Sequence, residues 1–253
     1  MGYCCYTYKT VNHKRKNKRI NDNLEQQAQA LFKSWFVDFE PFRGGKFMES
    51  ELGMIPEGWR LGTLDEIAEI VGGGTPSKTN VSFYCENGIP WITPKDLSIR
   101  KSKYISKGEI DITEVGYNNS SAKKIPSGSV LFSSRAPIGY ISIARNEVTT
   151  NQGFKSVVPV KAGTCYLYLF LKENTEKIES QATGSTFKEA SGALMRSQVI
   201  IIPPQQIFEM FESLVKPIFT EQSSLETEIE HLSMTRDLLL PKLMSGELKI
   251  NEV

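Results

Sequence analysis

Between Lys95 and Lys107 the chain sets five basic side chains (Lys95, Arg100, Lys101, Lys103 and Lys107) against one acid, Asp96, with Tyr104 among them and Trp91 just upstream. Lys123 and Lys124 form a second basic pair. Residues 133–155 then supply Ser133, Ser134, Arg135, Arg145, Asn151, Gln152 and Lys155. Lysine and arginine neutralise phosphates, whereas Arg, Asn, Gln and Ser carry donors and acceptors that can read base edges in pairs. Arg135, Asn151 and Gln152 are therefore the expected base readers, and the lysines the expected phosphate contacts. For any one of these residues the competing reading is an ordinary solvated surface.

Other chemistry is imitated or missing. Gly72-Gly-Gly-Thr-Pro-Ser-Lys-Thr79 follows an expected strand and resembles a phosphate loop, with Lys78 placed to reach phosphate. However, Ser77 replaces the glycine before the lysine, Pro76 removes an amide donor, and no apolar strand ending in Asp follows to hold Mg²⁺. An ATPase is rejected, and Lys78 joins the phosphate-facing lysines. There is no G-x-S-x-G turn, no Asn/Asp-Pro-Pro-Tyr/Phe motif and no G-x-G-x-x-G after a strand. The two histidines, His13 and His231, lie in a basic run and an expected helix, poor settings for a general base. Cys4, Cys5, Cys85 and Cys165 show no metal-ligand spacing, so neither a zinc site nor a disulfide scaffold is expected. Met1-Gly2 with Cys4-Cys5 hints at acylation, but Tyr6 stands where that pattern wants Ser or Thr.

These residues must be held by a scaffold, and 253 residues suffice for one large domain or two modest ones. The longest unbroken apolar stretch, Tyr166 to Leu171, is far short of the ~18 residues of a membrane span, and no charged-then-apolar leader opens the chain, so no membrane contact and a cytoplasmic location are expected. Net charge is +1 overall but segregated: +2 over residues 1–59, +4 over 60–200 and −5 over 201–253. That division suits a middle that meets polyphosphate and a tail that meets protein.

Residues 1–20 read as a basic N-terminal segment containing the run His13 to Arg19. A helix is expected over 21–42, capped by Asn21 or Asp22, striped by Leu24, Ala28, Leu31 and Trp35 and closed by Pro41 and Gly44-Gly45. Residues 43–58 read as a linker. From 59 to 202 short apolar runs recur (Ile67–Val71, Ile89–Thr93, Val130–Ser133, Ile138–Ala144, Ser156–Val160 and Gln198–Ile202), with a helix expected over Tyr166–Gln181. This body is expected to be α/β, mixed α+β. Over 203–253, Phe211, Ile218, Leu225, Leu232 and Leu239 fall seven residues apart, with Leu214, Ile229 and Leu243 between them. They predict a long helix whose heptad seam pairs with the Leu24–Trp35 stripe, with Glu212, Glu226, Glu230 and Asp237 on its outer face. Pro217 and Pro241 are possible kinks. Packing on its own domain is the plainer explanation of the same period.

Several segments recur in a recognisable order: Asn23-Leu-Glu-Gln-Gln-Ala-Gln-Ala-Leu-Phe-Lys-Ser-Trp-Phe-Val-Asp-Phe-Glu-Pro-Phe42, Ile55-Pro-Glu-Gly-Trp59, Gly73-Gly-Thr-Pro76, Ile89-Pro-Trp-Ile-Thr-Pro-Lys-Asp-Leu97, Ser133-Ser-Arg-Ala-Pro-Ile-Gly-Tyr140, Thr150-Asn-Gln-Gly-Phe154, Ile202-Pro-Pro-Gln205 and Leu239-Leu-Pro-Lys-Leu-Met-Ser-Gly-Glu247. Together they resemble the specificity (S) subunit of Type I restriction-modification systems, in a half-length form with one target-recognition domain. The resemblance implies a DNA target-recognition domain over 59–202, flanked by the end of a central conserved helix and by a distal conserved helix that pair as an antiparallel coiled-coil-like stem. It implies a chain without chemistry or cofactor of its own, which reads half of a bipartite site in double-stranded DNA. Partner modification (M, methyltransferase) and restriction (R) subunits would bring S-adenosylmethionine, ATP and Mg²⁺. Residues 1–20 stand where a first recognition domain would be, so self-association or pairing with another half-subunit is implied, as is an exchange cassette or a remnant. A helical interaction module and a nuclease are the competing classes.

Overall fold

The computed structural model describes residues 2–184 and 188–245. The last two residues of the distal helix motif, 246–247, and the side chain of Leu243 lie outside what is described. The chain divides into two compact units, one formed by Leu31–Val215 and the other by Met1–Ala30 with Lys216–Val253.

The first unit is the mixed α/β body. Its strands are β1 (Phe47–Ser50), β2 (Gly53–Pro56), β3 (Arg60–Thr63), β4 (Ala68–Gly72), β5 (Tyr84–Cys85), β6 (Ile89–Ile92), β7 (Tyr104–Ile105), β8 (Ile110–Ile112), β9 (Val130–Ser134), β10 (Ile138–Ala144), β11 (Thr149–Thr150), β12 (Lys155–Pro159) and β13 (Val199–Ile202). The central sheet has the order β4-β12-β9-β10-β7, antiparallel except where β7 joins β10 in parallel. A second sheet has the order β11-β6-β8-β5. Strand β9 is buried along its whole length, as a central strand covered on both faces should be. Between the sheets a core of Val71, Ile92, Leu97, Ile105, Ile125, Leu131, Val148 and Phe154 closes without exposed apolar area at its centre.

Three sequence expectations are corrected here. Residues 43–58 are not a bare linker, because β1 and β2 form an antiparallel hairpin turning at Gly53, whose φ of 97° suits glycine. The helix expected over Tyr166–Gln181 is two: α4 (Thr164–Glu173) and α5 (Thr175–Gln181). Asn174 breaks it by folding its amide back onto Phe170 O at 2.9 Å, while the Thr175 hydroxyl bonds Leu171 O at 2.7 Å. The compact unit runs from Leu31 to Val215 and so contains, beyond residues 59–202, the ends of both long helices. The cause is aromatic: Phe36 lies 4.8 Å from Tyr166, 4.8 Å from Phe211 and 5.9 Å from Trp59 between ring centroids, so the ends of both long helices are part of this core. Glu212, expected on an outer face, instead accepts from Tyr166 N at 2.9 Å and caps the start of α4. Gly163 leaves room for it, since a Cβ there would lie 2.1 Å from Glu212 Cδ.

The second unit is built from α1 (Gly2–Phe36) and α7 (Gln205–Met244), each of which continues from or into the first unit. The basic N-terminal segment is thus helical, and no cap at Asn21 or Asp22 starts it. Contacts run in opposite order along the two helices: Lys14 Nζ donates to Ser233 Oγ at 2.9 Å, Asn17 Nδ2 to Glu228 Oε2 at 2.8 Å, and Gln222 Nε2 to Glu25 Oε2 at 3.1 Å. The pair is therefore antiparallel. Among the described side chains of α1 the buried ones are Asn17, Ala28, Phe32 and Phe36, and those of α7 include Val215, Phe219, Gln222, Leu225 and Glu226. The seam is rotated by about one residue from the expected stripe, leaving Leu24, Leu31, Trp35, Ile218, Leu232 and Leu239 half-buried along its edges, while Phe211 and Leu225 are fully inside. Glu226 belongs to the interior, not to the outer face. Polar residues at the centre of the seam hid its true phase from an apolar pattern. The helix α7 runs on through Pro217 and Pro241. No helix among the described residues is long and apolar enough to cross a membrane.

Candidate nucleic-acid interface

The loops at one end of the two sheets surround an open cleft of about 450 Å³. Its floor comes from the end of β6, where Trp91 is buried and its indole donates to Gly74 O at 3.0 Å. Thr93 then caps α2 (Pro94–Arg100). The Asp96 carboxylate accepts from Thr93 N at 2.8 Å, from Thr93 Oγ1 at 2.6 Å and from Glu109 N at 2.8 Å. Those bonds explain a buried carboxylate in a basic segment: it ties the loop before β8 to the start of α2.

The glycine-rich loop after β4 has a structural explanation. A Cβ on Gly73 would lie 2.0 Å from Asn151 O, and one on Gly74 2.4 Å from Ala122 N. Gly74 N donates to Thr150 O at 2.8 Å. The glycines thus let this loop press against the backbone at residues 150–151 and 121–122, and Gly74 N is taken up by Thr150 O, so it is not free to cradle a phosphate. The arrangement holds the 151–153 turn rigid: Asn151 N donates to Ile92 O at 3.0 Å, and its side-chain oxygen accepts from Gly153 N at 2.9 Å. Gln152 projects outward and accepts a hydrogen bond from the Thr75 hydroxyl.

Of the residues singled out from the sequence, Lys78, Lys95, Arg135, Asn151 and Gln152 line this cleft together, although 73 positions separate Lys78 from Asn151. Lys95 is exposed and pairs with Glu109 at 2.6 Å, a hydrogen bond that holds its ammonium above the usual lysine pKa. Arg135 lies 3.6 Å from Glu189, and Lys155 lies 3.0 Å from the same carboxylate.

The others are placed elsewhere. Ser134 is fully buried, donating to Gly153 O at 3.1 Å, so it braces the turn and faces no solvent from which a base could reach it. Lys103 is buried with Nζ 4.3 Å from the Tyr168 ring centroid. The pairing explains its burial, since an aromatic face attracts a desolvated cation. Lys107 donates to Glu86 O at 2.6 Å and lies 3.5 Å from the buried Asp111 carboxylate, which makes it a bracket between β8 and the turn that joins β5 to β6. Lys124 pairs with Glu147 at 3.3 Å, while Arg100, Lys101 and Lys123 are exposed. Lys101 borders a separate cleft of about 500 Å³ shared with Lys103, Tyr140 and Lys172. Thr75, Thr93 and Glu109 also line the cleft and were not anticipated, nor was Glu189, which meets the cleft-lining Arg135. Among the described residues no group of His, Cys, Asp and Glu is placed to hold a metal ion.

An antiparallel helical pair and a mixed α/β unit that carries a basic, polar cleft define the class. The family model for the Type I restriction modification DNA specificity domain matches residues 56–231, and the chain belongs to that family. It is 43% identical over 162 residues to the Type I restriction enzyme MjaIX specificity subunit of Methanocaldococcus jannaschii, covering 62% of this chain and 37% of the relative. It is 30% identical to the HindI specificity subunit of Haemophilus influenzae, covering 92% of this chain and 63% of that one. Among solved structures, the HsdS subunit of Thermoanaerobacter tengcongensis matches with a TM-score of 0.56 at 18% identity over 96% of this chain, and the S subunit of M. genitalium with 0.57 at 15% over 93%. The chain spans 56% of each of those two structures, so it is shorter than all four relatives by at least a third.

Proposed function

We propose that this chain is a non-catalytic DNA-recognition subunit whose α/β unit reads one half of a bipartite target, while the α1/α7 stem docks the methyltransferase and restriction subunits of a Type I complex. The observation that carries the reading is the cleft: an arginine, an asparagine and a glutamine, each able to make paired bonds to a base edge, are gathered on braced turns and flanked by Lys78 and Lys95. Membership of the specificity family supports it. Methyl transfer and ATP-driven cleavage then belong to the partners, which would hold S-adenosylmethionine, ATP and Mg²⁺ in the cytoplasm. Self-association, or pairing with another half-subunit, is proposed as the source of the second half of the bipartite reader.

Selection from random duplexes by the purified full chain tests the reading. Enrichment of one short motif, lost at raised salt because phosphate contacts release counterions, is the expected result. Retention of all sequences alike, or of none, would leave a helical protein-interaction module without independent recognition.

A further inference from the structure

We infer that Glu189 is a positioning residue for recognition: its carboxylate sets the plane of the Arg135 guanidinium and thereby the base that Arg135 accepts. The inference rests on the DNA-reading assignment above.

The backbone brings Glu189 to this place deliberately close to Arg135. Ala190 N donates to Ser134 O at 2.9 Å, and Ser134 N donates in turn to Gly153 O at 2.7 Å. Glu189 and Arg135 are thus the adjacent residues on two strands of chain stitched together at Ser134, and Glu189 N is itself held by Thr183 O at 2.9 Å. From that anchor the carboxylate spans two cations, with Oε2 at 3.6 Å from an Arg135 Nη and Oε1 at 3.0 Å from Lys155 Nζ. Lys155 is the inner partner, with 16% of its side chain exposed against 37% for both Arg135 and Glu189. It therefore fixes the carboxylate from behind, and the carboxylate faces Arg135 at the solvent boundary.

Stability does not explain such an arrangement, because partly exposed ion pairs contribute little to folding. Attraction for DNA does not explain it either, since an acid beside two cations repels phosphate at every sequence. Orientation does. A guanidinium carries five N–H groups in one plane; the Glu189 carboxylate, an ion-pair partner 3.6 Å from one Nη, draws that end of the plane toward itself and leaves the opposite edge free, which favours a paired bond to two acceptors on a guanine edge. Without Glu189 the same arginine still offers charge but samples many planes, so it binds phosphate or any acceptor-rich base.

The test is duplex selection with the full chain, comparing wild type, Glu189→Ala, Glu189→Gln, Arg135→Ala and the Glu189→Ala/Arg135→Ala pair, each checked for an unchanged thermal midpoint. Glu189→Ala should reduce discrimination at a single base pair about tenfold while binding to random DNA strengthens. Arg135→Ala should lose preference at that same base pair, and adding Glu189→Ala to it should change nothing further there. Glu189→Gln, which keeps the acceptor and loses the charge, should recover part of the discrimination. If Arg135→Ala erases the preference but Glu189→Ala leaves it intact and merely tightens binding to every sequence, the positioning role is wrong while the cleft assignment stands. If Arg135→Ala leaves the wild-type motif unchanged, both the cleft assignment and the role of Glu189 are overturned.

Discussion

At the scale of single residues, the lysines separate into two kinds that the sequence presents alike. Lys101 and Lys78 are exposed, whereas Lys103 is covered by Tyr168 and Lys107 is engaged by Glu86 and Asp111. Replacing Lys78 with Ala should therefore reduce the slope of log affinity against log salt by about 0.9 and weaken all sequences evenly, measured by titration across a salt series. Lys107→Ala should leave that slope alone. Lys103→Ala should act on folding instead, lowering stability by roughly 0.5–2 kcal/mol in denaturant titration through the lost cation–aromatic contact. Arg135→Lys is a sharper probe than Arg135→Ala: it keeps the charge and loses the fork, so the salt slope should hold while discrimination at one base pair falls by ~1–3 kcal/mol. Residue types revealed which side chains could meet nucleic acid, and five of them do share a cleft. Their burial was not legible, because Tyr168 stands far from Lys103 in the chain and Gly153, the partner that buries Ser134, stands 19 positions away from it.

Elements were more legible than their faces. β4, β6, β9, β10, β12 and β13 lie where short apolar runs predict them, and α7 extends as its period requires. What the apolar pattern could not show is a seam whose centre is polar. Asn17, Gln222 and Glu226 occupy buried positions there, so counting leucines places the stripe one residue away, on its rim. The same applies to α1, where the basic N-terminal run offers no apolar stripe, yet Lys14 and Asn17 meet Ser233 and Glu228. These contacts set the outcome of mutations. Leu225→Ala, at a site 7% exposed, should cost about 2–5 kcal/mol, and half-buried Leu232 less, by thermal or urea unfolding. The matched surface control is the exposed Glu230→Ala, expected within about 0.5 kcal/mol; Glu226→Ala is unsuitable because it empties a buried position. Gln222→Leu should preserve helix content yet loosen register, since it removes the amide that bonds Asn21 O and Glu25. Cysteine pairs placed across α1 and α7 would then crosslink in more than one register.

At the scale of the molecule, the unit boundaries depart from those that glycines and prolines suggest, because aromatic packing carries Phe32 and Phe36 from α1, and Phe208 and Phe211 from α7, into the body. Phe211→Ala should accordingly destabilise the α/β unit itself by ~3–5 kcal/mol, not only the helical pair. Hydrogen exchange would report this as faster opening of β9, the fully buried strand, in the variant. The polar seam has a further consequence during synthesis. Residues up to Ala30 of the helical unit leave the ribosome before the whole of Leu31–Val215, and their partner on α7 follows after it. At elongation rates of ~5–20 residues per second, that interval is roughly 10–40 s. An apolar α1 would spend it exposing a sticky stripe to every other nascent chain. With Lys14, Asn17, Asn21 and Glu25 along its inner face, the waiting half stays wetted by water and becomes committed only when α7 emerges to accept from Lys14 and Asn17 and to donate to Asn21 O and Glu25.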